Sequence, residues 1–274
     1  MISPAGKSLP DKPLLVVDRL NKRYGGVSAA REVSFTVAAG EMVAVIGPNG
    51  AGKSTTFGMV GGQVRPDSGA VTLDGEAITG LPSRAIWRKG VGRTFQIAQT
   101  FVTMTVAENV QMALVSHRGR TRNLFSDTTR LYRDEALALL DGVGMPADAD
   151  RPVSELAYGD VKRVELAVAL ASGPKLLLMD EPTAGMAPKE RVGLMRLTAR
   201  VARERRIGVL FTEHDIDAVF SHADRLLVLV RGEIIAAGTP EAVRADPRVK
   251  QVYLGEAGTR AAERAKRHAE EVPA

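Results

Sequence analysis

One run of residues in this chain is suited to holding phosphate: Gly47-Pro48-Asn49-Gly50-Ala51-Gly52-Lys53-Ser54-Thr55. The apolar stretch Met42-Val43-Ala44-Val45-Ile46 precedes it, and Thr56-Phe57-Gly58-Met59-Val60 follows as the start of a helix. Strand, glycine-rich loop and helix in that order is the setting in which G-x-x-x-x-G-K-[ST] cradles phosphate. Phosphate oxygens need many donors at close range. Glycines let the backbone approach and turn its N–H groups inward, and the helix N-terminus adds positive potential. Lys53 can reach the β- and γ-phosphates, and the Ser54 hydroxyl can ligate Mg²⁺. A second cluster closes another apolar run, Leu176-Leu177-Leu178-Met179-Asp180-Glu181. On a buried strand expected beside the phosphate-loop strand, Asp180 stands where Mg²⁺ needs a carboxylate, through a water. Glu181 is the candidate to orient and polarise an attacking water. It projects away from Asp180 if the strand continues, or bends toward the γ-phosphate if the strand ends there. An Asp-Glu pair is often a helix cap or a surface turn, but charged residues seldom close a fully apolar run without function.

The elements that must position these groups alternate between strand and helix. Leu14–Val17, Val33–Val37, Ala70–Leu73 and Val91–Phe95 read as strands, with Asn21–Gly26 a turn that carries an exposed Tyr24. Lys175–Asp180 and Ile207–Phe211 are continuous apolar runs, the pattern of strands covered on both faces of a parallel sheet. Between about 97 and 158 the character changes. Val106–Val115 and Leu131–Leu140 have helical spacing around a polar loop, which reads as a helical subdomain inserted in an α/β core. Gly159–Ala171 and the segment opened by Pro188 are also helical. Leu226–Val230 and Ile234–Ala237 are strands around a turn. Residues 1–13 read as a disordered lead-in and 255–274 as a charged tail.

Composition narrows the function classes. The 274 residues are 45% hydrophobic and 25% charged, ordinary for a globular chain. The absence of cysteine excludes disulfides, thiolate catalysis and cysteine metal sites. The first residues hold no apolar core, so no secretory signal is expected. No apolar run approaches the ~20 residues of a membrane span. The net charge of +5 would suit an anionic partner, but the basic residues do not interleave with aromatics, and no nucleic acid is expected.

Taken together, the motifs resemble the ATP-binding cassette (ABC) ATPases. The order matches along residues 14–254: the loop at 47–55, Gln96, Leu156-Ala157-Tyr158-Gly159-Asp160, Asp180-Glu181-Pro182-Thr183, and His214. The resemblance implies a P-loop NTPase core with an antiparallel β subdomain and an inserted α-helical subdomain, and ATP and Mg²⁺ as ligands. Residue by residue it implies that the backbone of Gly47, Asn49, Gly50, Ala51, Gly52, Lys53, Ser54 and Thr55 holds phosphate. Tyr24 would stack on adenine, Gln96 would contact Mg²⁺ or the lytic water, and His214 would contact the γ-phosphate. Ala157 and Gly159 would face the γ-phosphate held by an opposite subunit. Two such subunits would pair head to tail, as a homodimer or a paralogous heterodimer. They would sit peripherally on the cytoplasmic face of the inner membrane, against membrane-spanning permease chains served by a solute-binding protein. The groove near Gln96 and the helical subdomain would be the coupling surface. Arg93-Thr94-Phe95-Gln96, Met104–Val110, Thr183–Met186 and Val252–Gly255 are similar to the branched-chain amino acid, amide and urea importers.

Two departures from the family pattern matter. Ala157 replaces the usual serine, removing a hydroxyl donor whose bond to a charged group is worth about 1.5–3 kcal/mol. If that bond acts in the transition state, turnover slows by about tenfold to a hundredfold. Ala187 replaces a common aspartate. These two positions motivate an alternative, a nucleotide-gated interaction subunit with weak hydrolysis in a heterodimer. A soluble ABC ATPase acting on nucleic acid or ribosomes is a further alternative, but such proteins usually carry two cassettes or long insertions.

Overall fold

In the computed structural model, residues 12–94, 100–119, 131–213 and 216–252 are described. The elements in chain order are β1 Leu15–Tyr24, β2 Val27–Val37, β3 Met42–Ile46, α1 Lys53–Val60, β4 Ser68–Leu73, β5 Glu76–Ala77, α2 Ser83–Arg88 and β6 Val91–Thr94. There follow α3 Val106–His117, α4 Arg133–Gly142, α5 Tyr158–Leu170, β7 Leu176–Asp180, α6 Pro188–Arg205, β8 Gly208–Thr212, α7 Ile216–His222, β9 Arg225–Val230, β10 Glu233–Gly238 and α8 Pro240–Ala245. They form two sheets. One is antiparallel in the order β2-β1-β4-β5, and the other runs β10-β9-β3-β8-β7-β6, with only the β10–β9 pair antiparallel.

The apolar runs are continuous because the second sheet is covered on both faces, and the period of two along each strand sorts the side chains. Met42, Ala44 and Ile46 of β3, Leu177 and Met179 of β7, and Val209 and Phe211 of β8 join one core with α3, α4, α5 and α6. Val43, Val45, Leu176, Leu178 and Leu210 face the other way, into a core shared with α1 and the antiparallel sheet. Arg225, at the start of β9, ties the two sheets together. Its Nε and Nη2 donate to the Glu41 carboxylate at 2.8 and 3.1 Å, and Nη2 also donates to the Thr36 carbonyl at 2.6 Å.

The first hairpin is longer than its sequence suggests. The turn expected over 21–26 shrinks to Gly25–Gly26, because β1 and β2 stay paired out to Tyr24 opposite Val27. The Asp67 carboxylate braces this extension, accepting from Lys22 Nζ and from the Arg23 amide. Those bonds hold Asp67 below the usual carboxylate range. At the helices, α3 opens on a reciprocal cap in which Thr105 Oγ1 accepts from the Glu108 amide and Glu108 Oε2 from the Thr105 amide. Among the described residues, no helix is long and apolar enough to cross a membrane.

The loop between β3 and α1 is fixed by close backbone approach. A Cβ on Gly47 would lie 2.0 Å from the Leu229 carbonyl oxygen, and one on Gly52 would lie 2.1 Å from that of Ala29. Gly52 also has φ +104°, in the left-handed region. Gly52→Ala should therefore cost about 1–3 kcal/mol in urea unfolding. Gly26→Ala, with nothing within 4 Å of the added carbon, should stay within about 0.5 kcal/mol. Equal costs would show that the loop is not held there. Arg225→Lys keeps the charge but loses the two-pronged geometry, and should cost about 1.5–3 kcal/mol by the same assay. A loss below about 0.5 kcal/mol would remove Arg225 as the tie between the sheets.

Candidate nucleotide site

The phosphate-loop strand and the acidic strand are not neighbours, as the sequence reading had them. β8 lies between β3 and β7, so the carboxyl ends of three parallel strands converge on one edge of the sheet. Crevices outside the carboxyl ends of parallel strands are where open α/β sheets bind ligands.

On the β3 side, Lys53 is buried. Its Nζ donates to the carbonyls of Gly47 and Pro48 at 2.7 and 3.0 Å, so it spans the loop from within. Thr56 secures the first turn of α1 through Oγ1 and its amide, both donating to the Gly52 carbonyl. Ser54 is exposed in the same turn.

On the β7 side, Asp180 is half-buried. Its Oδ1 accepts from Thr212 Oγ1 at 2.8 Å, and its Oδ2 lies 3.7 Å from Arg93 Nη2. Burial lowers the affinity of the Arg93 guanidinium for its proton, and the nearby Asp180 carboxylate opposes that shift. Arg93 also donates to Gln63, just past α1, and so braces the two halves of the site. Of the two sequence alternatives for Glu181, the bend is the one found. Its φ is +48°, and its amide donates to Thr212 Oγ1 at 3.0 Å and to the Thr212 carbonyl at 3.2 Å. Beyond it the chain turns tightly, the Ala184 amide donating to the Glu181 carbonyl and the Met186 amide to that of Thr183. At Ala187, where an aspartate is missing, the amide donates to Glu190 Oε2 at 3.3 Å.

The residues present fit a nucleotide with Mg²⁺. Gly47 and Gly52 let the loop seat directly against the Leu229 and Ala29 carbonyls, where a Cβ would collide, and the loop between them can turn its N–H groups toward phosphate. Ser54 and Asp180 are hard oxygen donors, the set that suits Mg²⁺ rather than a softer metal.

Other expected residues lie apart. Tyr24 is 51% exposed at the hairpin tip, with Lys22 Nζ over one face of its ring at 5.6 Å from the centroid. Ala157 is the N-cap of α5 and makes no side-chain cap bond. Replacing a serine there costs α5 about 1 kcal/mol of capping. The first-turn N–H groups of α5, including that of Gly159, remain a donor set for an anion. This helix belongs to the core on one face of the sheet and α1 to the core on the other, so one chain does not pack the 157–159 segment against its own phosphate loop. Gln96 and His214 lie outside the described residues.

Sequence reasoning passed over Arg93, Thr212 and Glu213 as parts of this edge. Glu213 carries a readable signal: it is an acid that follows directly on a fully buried strand, as Asp180 ends the apolar run of β7.

Comparison with known proteins agrees with this geometry. Residues 30–184 match the ABC transporter family, and residues 233–259 match the branched-chain amino acid ATP-binding cassette transporter family. The chain is 40% identical to the high-affinity branched-chain amino acid transport ATP-binding protein BraF of Pseudomonas aeruginosa, over 90% of this chain and 99% of that protein. It is 37% identical to the lipopolysaccharide export system ATP-binding protein LptB of Haemophilus influenzae, over 89% of this chain and 98% of that one. Among solved structures, the ADP conformation of MJ1267, an ATP-binding cassette of an ABC transporter, superposes with a TM-score of 0.80 at 30% identity, covering 89% of this chain and all of that one. The dimeric cassette MJ0796 bound to ADP and Pi gives a TM-score of 0.68 at 26% identity, over 82% of this chain and 98% of that one. An exposed phosphate cradle on β3, an acidic strand end on β7 and these relatives lead to one conclusion: the chain belongs to the ABC transporter family of ATP-binding proteins, ATPases that power transport, and within it to the branched-chain amino acid group.

Proposed function

We propose that this chain energises an importer for branched-chain amino acids or closely related small polar solutes. It does so as one of two ATPase subunits on the cytoplasmic face of the inner membrane. The observation that carries the solute class is the match of residues 233–259 to the branched-chain family, at the end of a chain that also resembles lipopolysaccharide exporters.

In this reading the loop 47–55 and Lys53 hold the phosphates, Tyr24 stacks on adenine, and Ser54 and Asp180 hold Mg²⁺. The metal, when bound, neutralises charge on the β- and γ-oxygens. Glu181 takes the proton of the attacking water. Gln96 and His214 keep the roles that the family pattern gives them. Ala157 and Gly159 serve the nucleotide of the opposite subunit, which accounts for their separation from the phosphate loop of their own chain.

A permease surface is supported by two features beside the helical elements. Phe101 and Val102 are each 56% exposed, on a loop that Asn109 fixes by accepting from the Phe101 amide and donating to the Phe101 and Thr105 carbonyls. Separately, a cleft of about 410 Å³ opens between α2 and α3, lined by Gln63, Arg84, Trp87, Arg93, Ala113 and Ser116 among others. A solute-binding protein would act only through the permease. The missing donors at Ala157 and Ala187 favour a second reading, in which this chain pairs with a paralogous subunit whose corresponding segment is intact.

The test is uptake of radiolabelled leucine into proteoliposomes that hold the chain with its permease, beside Glu181→Gln. Leucine uptake should require ATP. The Glu181→Gln subunit should bind ATP with unchanged affinity while turnover falls by at least about a hundredfold. Turnover at the parental rate would refute the general-base assignment. ATP-driven transport that excludes every branched-chain amino acid would refute the solute class.

A further inference from the structure

Glu213 is an unusual residue for its place. It directly follows β8, a strand whose five residues are all buried, is itself only 6% exposed, and stands next to His214 in the chain. A carboxylate in such surroundings is costly unless strong hydrogen bonds compensate. Its Oε1 accepts two from a single residue, the buried Thr183: the amide at 3.0 Å and the hydroxyl at 2.5 Å. The second distance is that of a charge-assisted O–H···O⁻ bond.

Glu213 and its neighbour Thr212 together grip the end of β7. Thr212 holds Asp180 and the Glu181 amide, and Glu213 holds Thr183 two residues on. Between these grips Glu181 adopts a left-handed conformation, which in a non-glycine residue persists only where its surroundings over-determine it. The turn that continues into the exposed Gly185 and Ala187 starts from the same Thr183.

We propose that Glu213 is a positioning residue for ATP hydrolysis: through Thr183 it fixes the bend that aims Glu181, and sets where the 184–187 turn leaves the sheet. This rests on the assignment of Glu181 above. Glu213 would touch neither nucleotide nor water. Its loss would let the base shift by more than the precision it needs, while the phosphate cradle after β3, two strands from β7, stays as it is.

The test is steady-state ATP turnover and ATP binding by the full chain carrying Glu213→Ala, Glu213→Gln, Thr183→Val, or Glu213→Ala with Thr183→Val. Glu213→Ala should lower kcat by about tenfold to a hundredfold, the scale of a misplaced catalytic group. KM and the ATP dissociation constant should stay within about twofold. Glu213→Gln, which keeps the acceptor, should recover most of the rate. Thr183→Val keeps the side-chain shape and decides the matter if Glu213→Ala does not fold. The double variant should be no slower than the slower single one, because both remove the same tie. Unchanged kcat in Thr183→Val and Glu213→Ala would overturn the proposal. So would a rate loss matched by a parallel loss of ATP affinity or of folded protein. Absence of turnover in the parental chain with its partners present would overturn the ATPase assignment itself, and this inference with it.

Discussion

Parallel strands packed on both faces have nowhere to place polar chemistry except at their ends. In β3, β8 and β7 every residue but the last of β7 is buried, and their apolar side chains alternate between one core and the other. The chain therefore spends its polar residues at the carboxyl ends, where three motifs emerge on one edge: the loop after Ile46, the Asp180-Glu181 pair, and Thr212-Glu213. Each end depends on its neighbour. Thr212 holds Asp180, Arg93 braces Asp180 against the end of α1, and the close approach of Gly47 and Gly52 to Leu229 and Ala29 sets the loop. The functional edge is a consequence of burial first and of side-chain chemistry second.

That edge is incomplete. In the proposed reading it offers a cradle, oxygen donors for a hard cation and a carboxylate to orient water, while the first-turn N–H groups of α5 belong to another part of the chain. Tyr158 packs toward Gly185 and Gly159 toward Glu190, so the start of α5 and the turn after β7 are built as one surface. A surface that presents anion donors beside the turn leaving the catalytic strand suits a partner carrying its own nucleotide. In the proposed reading, closure over ATP and reopening after hydrolysis would follow from the same contacts, the γ-phosphate being what the donors of the second chain would grip.

Much of this was legible in the sequence, for identifiable reasons. Glycine spacing is strict where backbones nearly touch, so the loop at 47–55 announces itself. Fully buried strands read as unbroken apolar runs, so Lys175–Asp180 and Ile207–Phe211 coincide within a residue or two with β7 and β8. Strand order was not legible. Which run lies beside which depends on crossovers that leave no local trace, and β8 turned out to separate the two motif strands. The bend at Glu181 was only half-legible, since a left-handed glutamate is imposed by Thr212 from another strand. The extension of the first hairpin to Tyr24 depends on Asp67, forty-three residues after it, and no local propensity encodes that support. Ala157 and Ala187 are conspicuous in the sequence, because a missing donor is visible wherever a pattern leads one to expect it.

On the reading proposed above, the hydrolytic site is completed between two chains. Its most direct test is ATP turnover per chain as a function of protein concentration, from well below to well above the range in which the subunits associate. Turnover per chain should rise with concentration and level off once pairs dominate, in this chain alone or after addition of its partner subunit. A rate per chain that is constant down to concentrations at which sedimentation shows only single chains would contradict it.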